Sequence, residues 1–124
     1  MNATVKEWLE KSEADYKGAV VLNRQRKEKQ HDIICFLAQQ CVEKLMKGVL
    51  IRRKVVPPHT HDLLKLSELL RRAIRGWSAN EDELRALSRG AVVFRYPGAR
   101  AQPDESRRAM LICRKIRKRL LPFL

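Results

Sequence analysis

Apolar residues recur every three or four positions along most of this chain, which is the spacing of amphipathic helices. In the first such segment the apolar side consists of Val5, Trp8, Leu9, Tyr16, Ala19 and Val20. The polar run NRQRKEKQ, over residues 23–30, then breaks the pattern. We therefore expect a first helix that frays into an exposed connection.

A second helix is predicted from about Asp32 to Arg53. One apolar stripe along it consists of Ile34, Leu37, Ala38, Cys41, Leu45 and Val49. Further apolar residues fill the flanks of that stripe, namely Ile33, Phe36, Val42, Met46 and Leu50. Because more than one face must then be covered, this helix is expected at the centre of the fold. Pro57 and Pro58 exclude its continuation.

Capping signals divide the remaining sequence into three more helices. Thr60 is expected to cap a third helix that stops near Gly76. Asn80 begins a fourth, which Pro97-Gly98 ends, and Pro103 opens a fifth. Since no alternating strand pattern is visible, the prediction is an all-α, up-and-down bundle of about five helices.

Length and charge limit the possibilities further. A chain of 124 residues with 44% hydrophobic residues suffices for one domain, residues 1–124, and is too short for two. Its net charge of +13 favours a polyanionic partner such as nucleic acid, or an acidic protein. A basic surface that serves only solubility is the alternative.

The cysteines and the N-terminal segment indicate the compartment. Cys35, Cys41 and Cys113 are odd in number, lack a CxxC spacing and lie in apolar stretches, as free thiols in a reducing cytosol do. Met1–Lys11 contains acidic residues and no long apolar run, so a signal peptide is not expected. No apolar stretch approaches membrane-spanning length. We expect a cytoplasmic protein that has no membrane partner.

The second helix carries an unusual polar set through its apolar sequence. Gln40, Glu43, Lys44 and Lys47 are spaced i, i+3, i+4 and i+7, so they form one strip. That strip is either the solvent window of a buried helix or the floor of a groove. The plainer interpretation is an ordinary Glu43–Lys47 pair on a hydrated face.

Most catalytic templates are absent from the sequence. It contains no Gly-rich phosphate loop, no HExxH, no GxSxG, and no carboxylate pair with an adjacent base. His59 and His61 are two possible metal ligands, but a third ligand close in sequence is lacking, and a histidine at a helix start is the simpler interpretation. No metal and no cofactor are therefore expected.

Three blocks of the sequence together resemble a known family. CFLAQQCVEKLMKGVLI, PPHTHDLLKL and VVFRYPGA are similar in content, order and spacing to the HEPN domain, a helical nucleotide-associated module. The similarity extends over nearly the whole chain, with WLEKSEADYKGAVVL as the first helix. It implies a HEPN-like helical bundle that commonly forms a homodimer and is often encoded beside a minimal nucleotidyltransferase.

The resemblance also bears on catalysis. Many HEPN domains are metal-independent ribonucleases whose motif is an Arg, four to six residues, and then a His. Arg95 lies at the matching place, but the positions for the His hold Arg100, Ala101 and Gln102. The catalytic His is missing, and a lone Arg cannot exchange protons at neutral pH. We therefore assign no catalytic residue and favour binding over cleavage.

A binding site is predicted where basic and polar residues meet. We expect Arg95 and Tyr96 to enter a groove whose floor is the polar strip of Gln40, Glu43, Lys44 and Lys47, and which binds a nucleotide or RNA. The fifth helix adds a basic surface of Arg107, Arg108, Arg114, Lys115 and Lys118. Cations that complement its helix dipole explain part of this density. Few aromatic residues accompany them, so phosphate contacts should dominate.

Three functions remain open at this point. The first is a binding and assembly module that acts with a nucleotidyltransferase partner, in the manner of a toxin–antitoxin pair. The second is a HEPN ribonuclease toxin that uses a displaced catalytic residue. The third is a ligand-free helical scaffold for an acidic protein.

Overall fold

The computed structural model describes residues 2–124, and within them the chain forms five α-helices and no strand. The helices are α1 Ala3–Asn23, α2 His31–Arg52, α3 Leu63–Ala73, α4 Glu81–Val92 and α5 Pro103–Leu120. Short 3₁₀ turns follow α4 at Val93–Arg95 and α5 at Leu121–Phe123. The prediction of an all-α bundle of about five helices is confirmed.

The helix α2 lies at the centre and contacts the other four helices. Its fully buried apolar side chains are Ile34, Ala38, Cys41, Val42, Leu45, Met46, Val49 and Leu50. Removing this much apolar surface from water is the largest favourable term available to a bundle of this size. The expectation that α2 must be covered on more than one face agrees with the structure.

Three contacts with α2 show in which direction α1 runs. Near the start of α1, Trp8 lies against Gly48 in the last part of α2. Near the end of α1, Gly18 lies against Leu37 in the first part of α2. Between them the Ser12 hydroxyl donates a hydrogen bond of 2.7 Å to the backbone carbonyl of Cys41. The two helices are therefore antiparallel.

The helix α5 runs in the same direction as α2. Ser106, in its first turn, hydrogen-bonds His31 at the start of α2. Leu124, just beyond its end, lies beside Gly48. We call the end of the bundle that contains residues 24–32 and 93–108 the Arg95 end. The opposite end, with residues 52–54, 74–77 and 118–124, is the Phe123 end.

The predicted helix starts are correct except for that of α3. The Asn80 side chain accepts a hydrogen bond of 3.0 Å from the backbone N–H of Glu83, as a helix cap does. For α3, however, the cap is Asp62, whose carboxylate accepts from the backbone N–H of Leu64 at 3.0 Å. The expected cap, Thr60, instead accepts from the N–H of Asp62 and orders the approach to the helix.

The three cysteines are free and buried. Burial raises the pKa of Cys35 to about 12, with the nearby Glu105 and Asp32 carboxylates adding to the effect. A thiol in this state packs as a small hydrophobic group and is a poor nucleophile at neutral pH.

The crossing of α4 over α2 depends on Gly90. A β-carbon at this position would overlap the backbone carbonyl of Cys35, which cannot move aside as a flexible side chain can. Gly90→Ala is therefore expected to lower the free energy of unfolding by about 1–3 kcal/mol, although alanine ordinarily favours a helix. Urea denaturation measures the change.

Gly18→Ala is the matched control for this substitution. Its β-carbon would meet only a terminal methyl of Leu37, at 3.2 Å, and that side chain can adjust. We expect Gly18→Ala to leave stability unchanged within about 1 kcal/mol. If the Gly90→Ala variant and the unsubstituted protein were equally stable, the prediction would be wrong, because α4 and α2 could then move apart without loss of stability.

Candidate functional site

Arg95 lies in the 3₁₀ turn that follows α4. Phe94 in the same turn is buried and joins the core, which fixes the turn. The chain then bends at Gly98, whose φ of 108° lies in the region that favours glycine. The segment from Arg95 to Arg100 is therefore held at the surface, with most of its side chains exposed.

An open depression of about 580 Å³ follows this segment. Its cations are Arg95 and Arg100, and its acid is Asp32. The remaining lining residues are Phe94, Tyr96, Pro97, Gly98 and Ala99. Two guanidinium groups against one carboxylate give a site that favours anions.

Arg95 is oriented by an aromatic ring of α2. Its guanidinium carbon lies 4.6 Å from the centroid of Phe36, a stacked cation–π arrangement. Within residues 2–124 the Arg95 side chain makes no hydrogen bond or ion pair. Stacking thus holds the group in place while its N–H donors remain available for an oxyanion.

Two hydrogen bonds tie the start of α2 to the start of α5 beneath this segment. The Asp32 carboxylate accepts from the backbone N–H of Ala101 at 2.6 Å. His31 Nδ1 lies 2.7 Å from the Ser106 hydroxyl, which itself donates to the Pro103 carbonyl. Since the hydroxyl has one proton and donates it to Pro103, His31 Nδ1 is the donor to Ser106.

The four residues of the polar strip of α2 lie in different environments. Glu43 and Lys47 are buried, with exposures of 4% and 8%. The Glu43 carboxylate accepts from Gln39 at 3.0 Å, from His61 Nδ1 at 2.9 Å and from Lys47 at 3.0 Å. The expected Glu43–Lys47 pair is present, but it lies inside the protein and not on a hydrated face.

This network sets the charge state of Glu43. Burial by itself would raise the pKa of the carboxyl group. Hydrogen bonds from Gln39, His61 and Lys47, together with the charge of Lys47, outweigh burial and hold the pKa of Glu43 below its ordinary value. The ionised carboxylate joins α2 to the segment that precedes α3, because His61 lies in that segment.

The other two residues of the strip lie elsewhere on α2. Lys44 forms an ion pair of 2.6 Å with Asp15 of α1, and Gln40 donates to the neighbouring Gln39 side chain at 2.7 Å. The depression at Arg95 and Tyr96 is lined by none of the four strip residues. The expectation of one shared groove is therefore corrected, because α1 and the His61 segment cover the strip.

Tyr96 is exposed at the Arg95 end, where it lines the depression. The predicted basic surface of α5 is exposed as well, at Arg107, Arg108, Arg114, Lys115 and Lys118. Lys115 forms an ion pair of 2.6 Å with Glu83 of α4, and the nearby Arg117 pairs with Glu13 of α1 at 2.7 Å. Part of the basic density of α5 thus joins helices to one another.

The sequence interpretation did not place residues 24–30 at the same end of the bundle as this site. It predicts only an exposed connection there, yet the antiparallel arrangement of α1 and α2 brings these residues to the Arg95 end. Their cations are Arg24, Arg26, Lys27 and Lys29. Arg107 and Arg108 extend from the first turns of α5 at the same end. The dense run of charged residues within 24–30 was the feature of the sequence that could have indicated this.

The part of the chain that the structure describes offers no cluster of three metal-ligating side chains. Of the two histidines weighed as metal ligands, His59 and His61, the structure places His61 against Glu43. No helix within residues 2–124 is both long and apolar enough to cross a membrane.

Comparisons with known proteins agree with this architecture. The crystal structure of TT1696 from Thermus thermophilus superposes with a TM-score of 0.78 at 24% identity, covering 100% of both chains. The family model described as HEPN domain matches residues 5–121. A search of curated proteins gave no match.

The buried Glu43 network should make stability depend on pH in a defined way. Glu43→Gln leaves Lys47 buried without its counter-charge, so we expect it to lower the free energy of unfolding at pH 7 by about 3 kcal/mol. A lowered carboxyl pKa stabilises the fold above the pKa of the unfolded state, about 4.3, and the effect is lost as pH falls through the folded value.

The difference between the two proteins should therefore be present at pH 5.5 and shrink below about 4.3, as denaturation at each pH would show. Glu10→Gln, at an exposed position of α1, is the control and should change little at any pH. A difference that grows as pH falls below about 4.3 would contradict the assignment of an ionised Glu43.

Proposed function

Because this chain belongs to the HEPN domain family, we propose that it is a nucleotide- or RNA-binding assembly protein whose ligand meets the Arg95 end. The family match supports a nucleotide- or RNA-related role. The observation that carries the proposal is Arg95 itself, stacked on Phe36 with unpaired donors beside Arg100. Glu43 and Lys47, which are buried and paired with each other, stabilise the fold in this proposal and do not bind the ligand.

The ligand would be held chiefly through its phosphates. The cations of residues 24–30 and those at the start of α5 lie at the same end of the bundle as the Arg95 depression and add to its positive potential. Guanidinium groups suit this role, since each can donate two parallel hydrogen bonds to a phosphate. Tyr96 is exposed beside them and offers a face on which a base can stack.

Assembly is the second part of the proposal. Members of this family often dimerise. Near the Arg95 end, Ile33 of α2 is exposed, Phe36 and Leu37 of α2 are half-buried, and Val93 in the turn after α4 is exposed as well. This apolar strip is a suitable surface for a second copy of the chain. A minimal nucleotidyltransferase, in a toxin–antitoxin-like pair, remains the proposed heterologous partner, and the buried free thiols favour a cytoplasmic location.

Ribonuclease activity is a second candidate, favoured by one specific contact. His31 lies one residue before Asp32, which lines the Arg95 depression. Its Nδ1 donates to Ser106, so in the neutral ring Nε2 is a base. We propose His31 as the displaced catalytic group that cleavage would require, with Arg95 as the phosphate-binding cation.

The phosphate-binding role of the Arg95 end is tested by Arg95→Gln/Arg100→Gln. We expect this variant to bind labelled single-stranded RNA roughly tenfold or more weakly, because two charge-assisted contacts are lost. The slope of log K against log salt should fall by about 0.7 for each contact. Fluorescence anisotropy at several salt concentrations measures both quantities.

Lys6→Gln/Lys17→Gln is the matched control, since it removes the same charge from exposed positions of α1. The same RNA is then recovered and sized on a gel. Intact RNA supports binding alone, whereas cleavage that is lost in His31→Ala supports the ribonuclease. No binding by the unsubstituted protein even at low salt would leave a scaffold for an acidic protein as the remaining function.

The proposed homodimer is tested by light scattering at micromolar protein. We expect a mass twice that of the 14.5 kDa chain. Ile33→Glu should shift the mass toward the monomer, because a charge in the apolar strip would be buried without a partner. Leu111→Glu, at an exposed apolar residue of α5, is the control. A monomeric unsubstituted protein would refute the homodimer.

A further inference from the structure

The Phe123 end has two grooves that meet at one aromatic side chain. Each has a volume of about 330 Å³, and the two share Pro122 and Phe123 as a common wall. Arg52 and Arg53, from the end of α2, line the first groove. The second is lined by cations from two other parts of the chain, namely Arg75, Lys118 and Arg119.

The aromatic rings of this end are fixed by their neighbours. The guanidinium carbon of Arg53 lies 5.6 Å from the centroid of Phe123, and that of Arg119 lies 4.3 Å from the centroid of Trp77. Arg119 also donates to the backbone carbonyl of Ser78 at 2.6 Å. The rings and cations are thus arranged before any ligand arrives, which lowers the entropy lost on binding.

Every charged side chain that lines either groove is a cation. Within residues 2–124, Arg52, Arg53, Arg75 and Lys118 form no ion pair. Complementing a helix dipole explains cations in the last turns of α2 and α5. It does not explain why cations from the ends of three different helices, including Arg75 after α3, line two grooves that share one aromatic wall.

We propose that these grooves form a second anion-binding site, which takes a single-stranded nucleic acid across Phe123 and operates independently of the Arg95 end. Phosphates lie in the two cationic grooves, while a base stacks on the Phe123 ring that separates them. A single strand is favoured over a duplex because only a single strand can offer an unpaired base face to a ring between two narrow grooves.

Because we propose two separate sites on one chain, the number of RNA molecules bound per chain tests the proposal. The 22 residues of α2 lie between the two ends, and at ~1.5 Å per residue they separate the sites by about 33 Å. A stacked hexanucleotide, at ~3.4 Å per nucleotide, is about 20 Å long and therefore occupies one site at a time. We expect two single-stranded RNA hexamers per chain, counted by native mass spectrometry.

The site is tested with Arg53→Gln/Lys118→Gln, which removes one cation from each groove. This variant should retain one hexamer per chain, and the salt slope of that hexamer, at the Arg95 end, should be unchanged. Lys6→Gln/Lys17→Gln is again the control of equal charge and should bind two. Phe123→Leu keeps the charge and most of the packing, so it should weaken the second hexamer roughly tenfold without changing the salt slope.

The possible results distinguish the second site from the site at the Arg95 end. Two hexamers bound by Arg53→Gln/Lys118→Gln with unchanged affinity would overturn the second site and leave the Arg95 proposal intact. Conversely, loss of one hexamer here, with none lost in Arg95→Gln/Arg100→Gln, would support this site and contradict the other. Binding of duplex RNA as tightly as the single strand, with no effect of Phe123→Leu, would overturn the single-strand assignment.

Discussion

The burial of α2 is the constraint on which the rest of the structure depends. A helix of 22 residues that is apolar on several faces must be covered by every other helix of so short a chain. Close approach is required for that coverage, and Gly90 and Gly48 provide it where α4 and α1 cross. Polar groups that remain on α2 must then pair with one another, as Glu43 and Lys47 do, because a buried charge without a partner is strongly destabilising.

Because the other helices cover α2 on its sides, the turns between helices form the ends of the bundle, where we propose that ligands bind. The turns between helices gather there, and residues far apart in sequence become neighbours. At the Arg95 end, residues 24–30 and the segment after α4 meet the first turn of α5, and two hydrogen bonds from His31 and Asp32 fix the arrangement. Loops on a rigid framework are the usual place for binding groups.

Helical spacing and side-chain capping account for the parts of the fold that were predicted correctly from the sequence. The spacing of apolar residues located all five helices, and a side-chain cap marked the start of α4 at Asn80. The start of α3 was misplaced because Thr60 and Asp62 are both capable caps, and only the path of the preceding chain decides between them. Helical spacing also identified Glu43 and Lys47 as neighbours. It could not reveal that His61, from a linker, would cover them.

The distribution of ion pairs accounts for part of the positive charge at the ends of the bundle. The chain has 27 basic and 14 acidic side chains. Several acids lie between helices along the sides of the bundle, where Asp15 pairs with Lys44, Glu13 with Arg117 and Glu83 with Lys115. These pairs leave cations without partners beside Arg95 and beside Phe123. Their mutual repulsion disfavours the compact state, and an anion bound at either end relieves it. A polyanion that binds the folded chain therefore also stabilises it, through linkage between binding and folding.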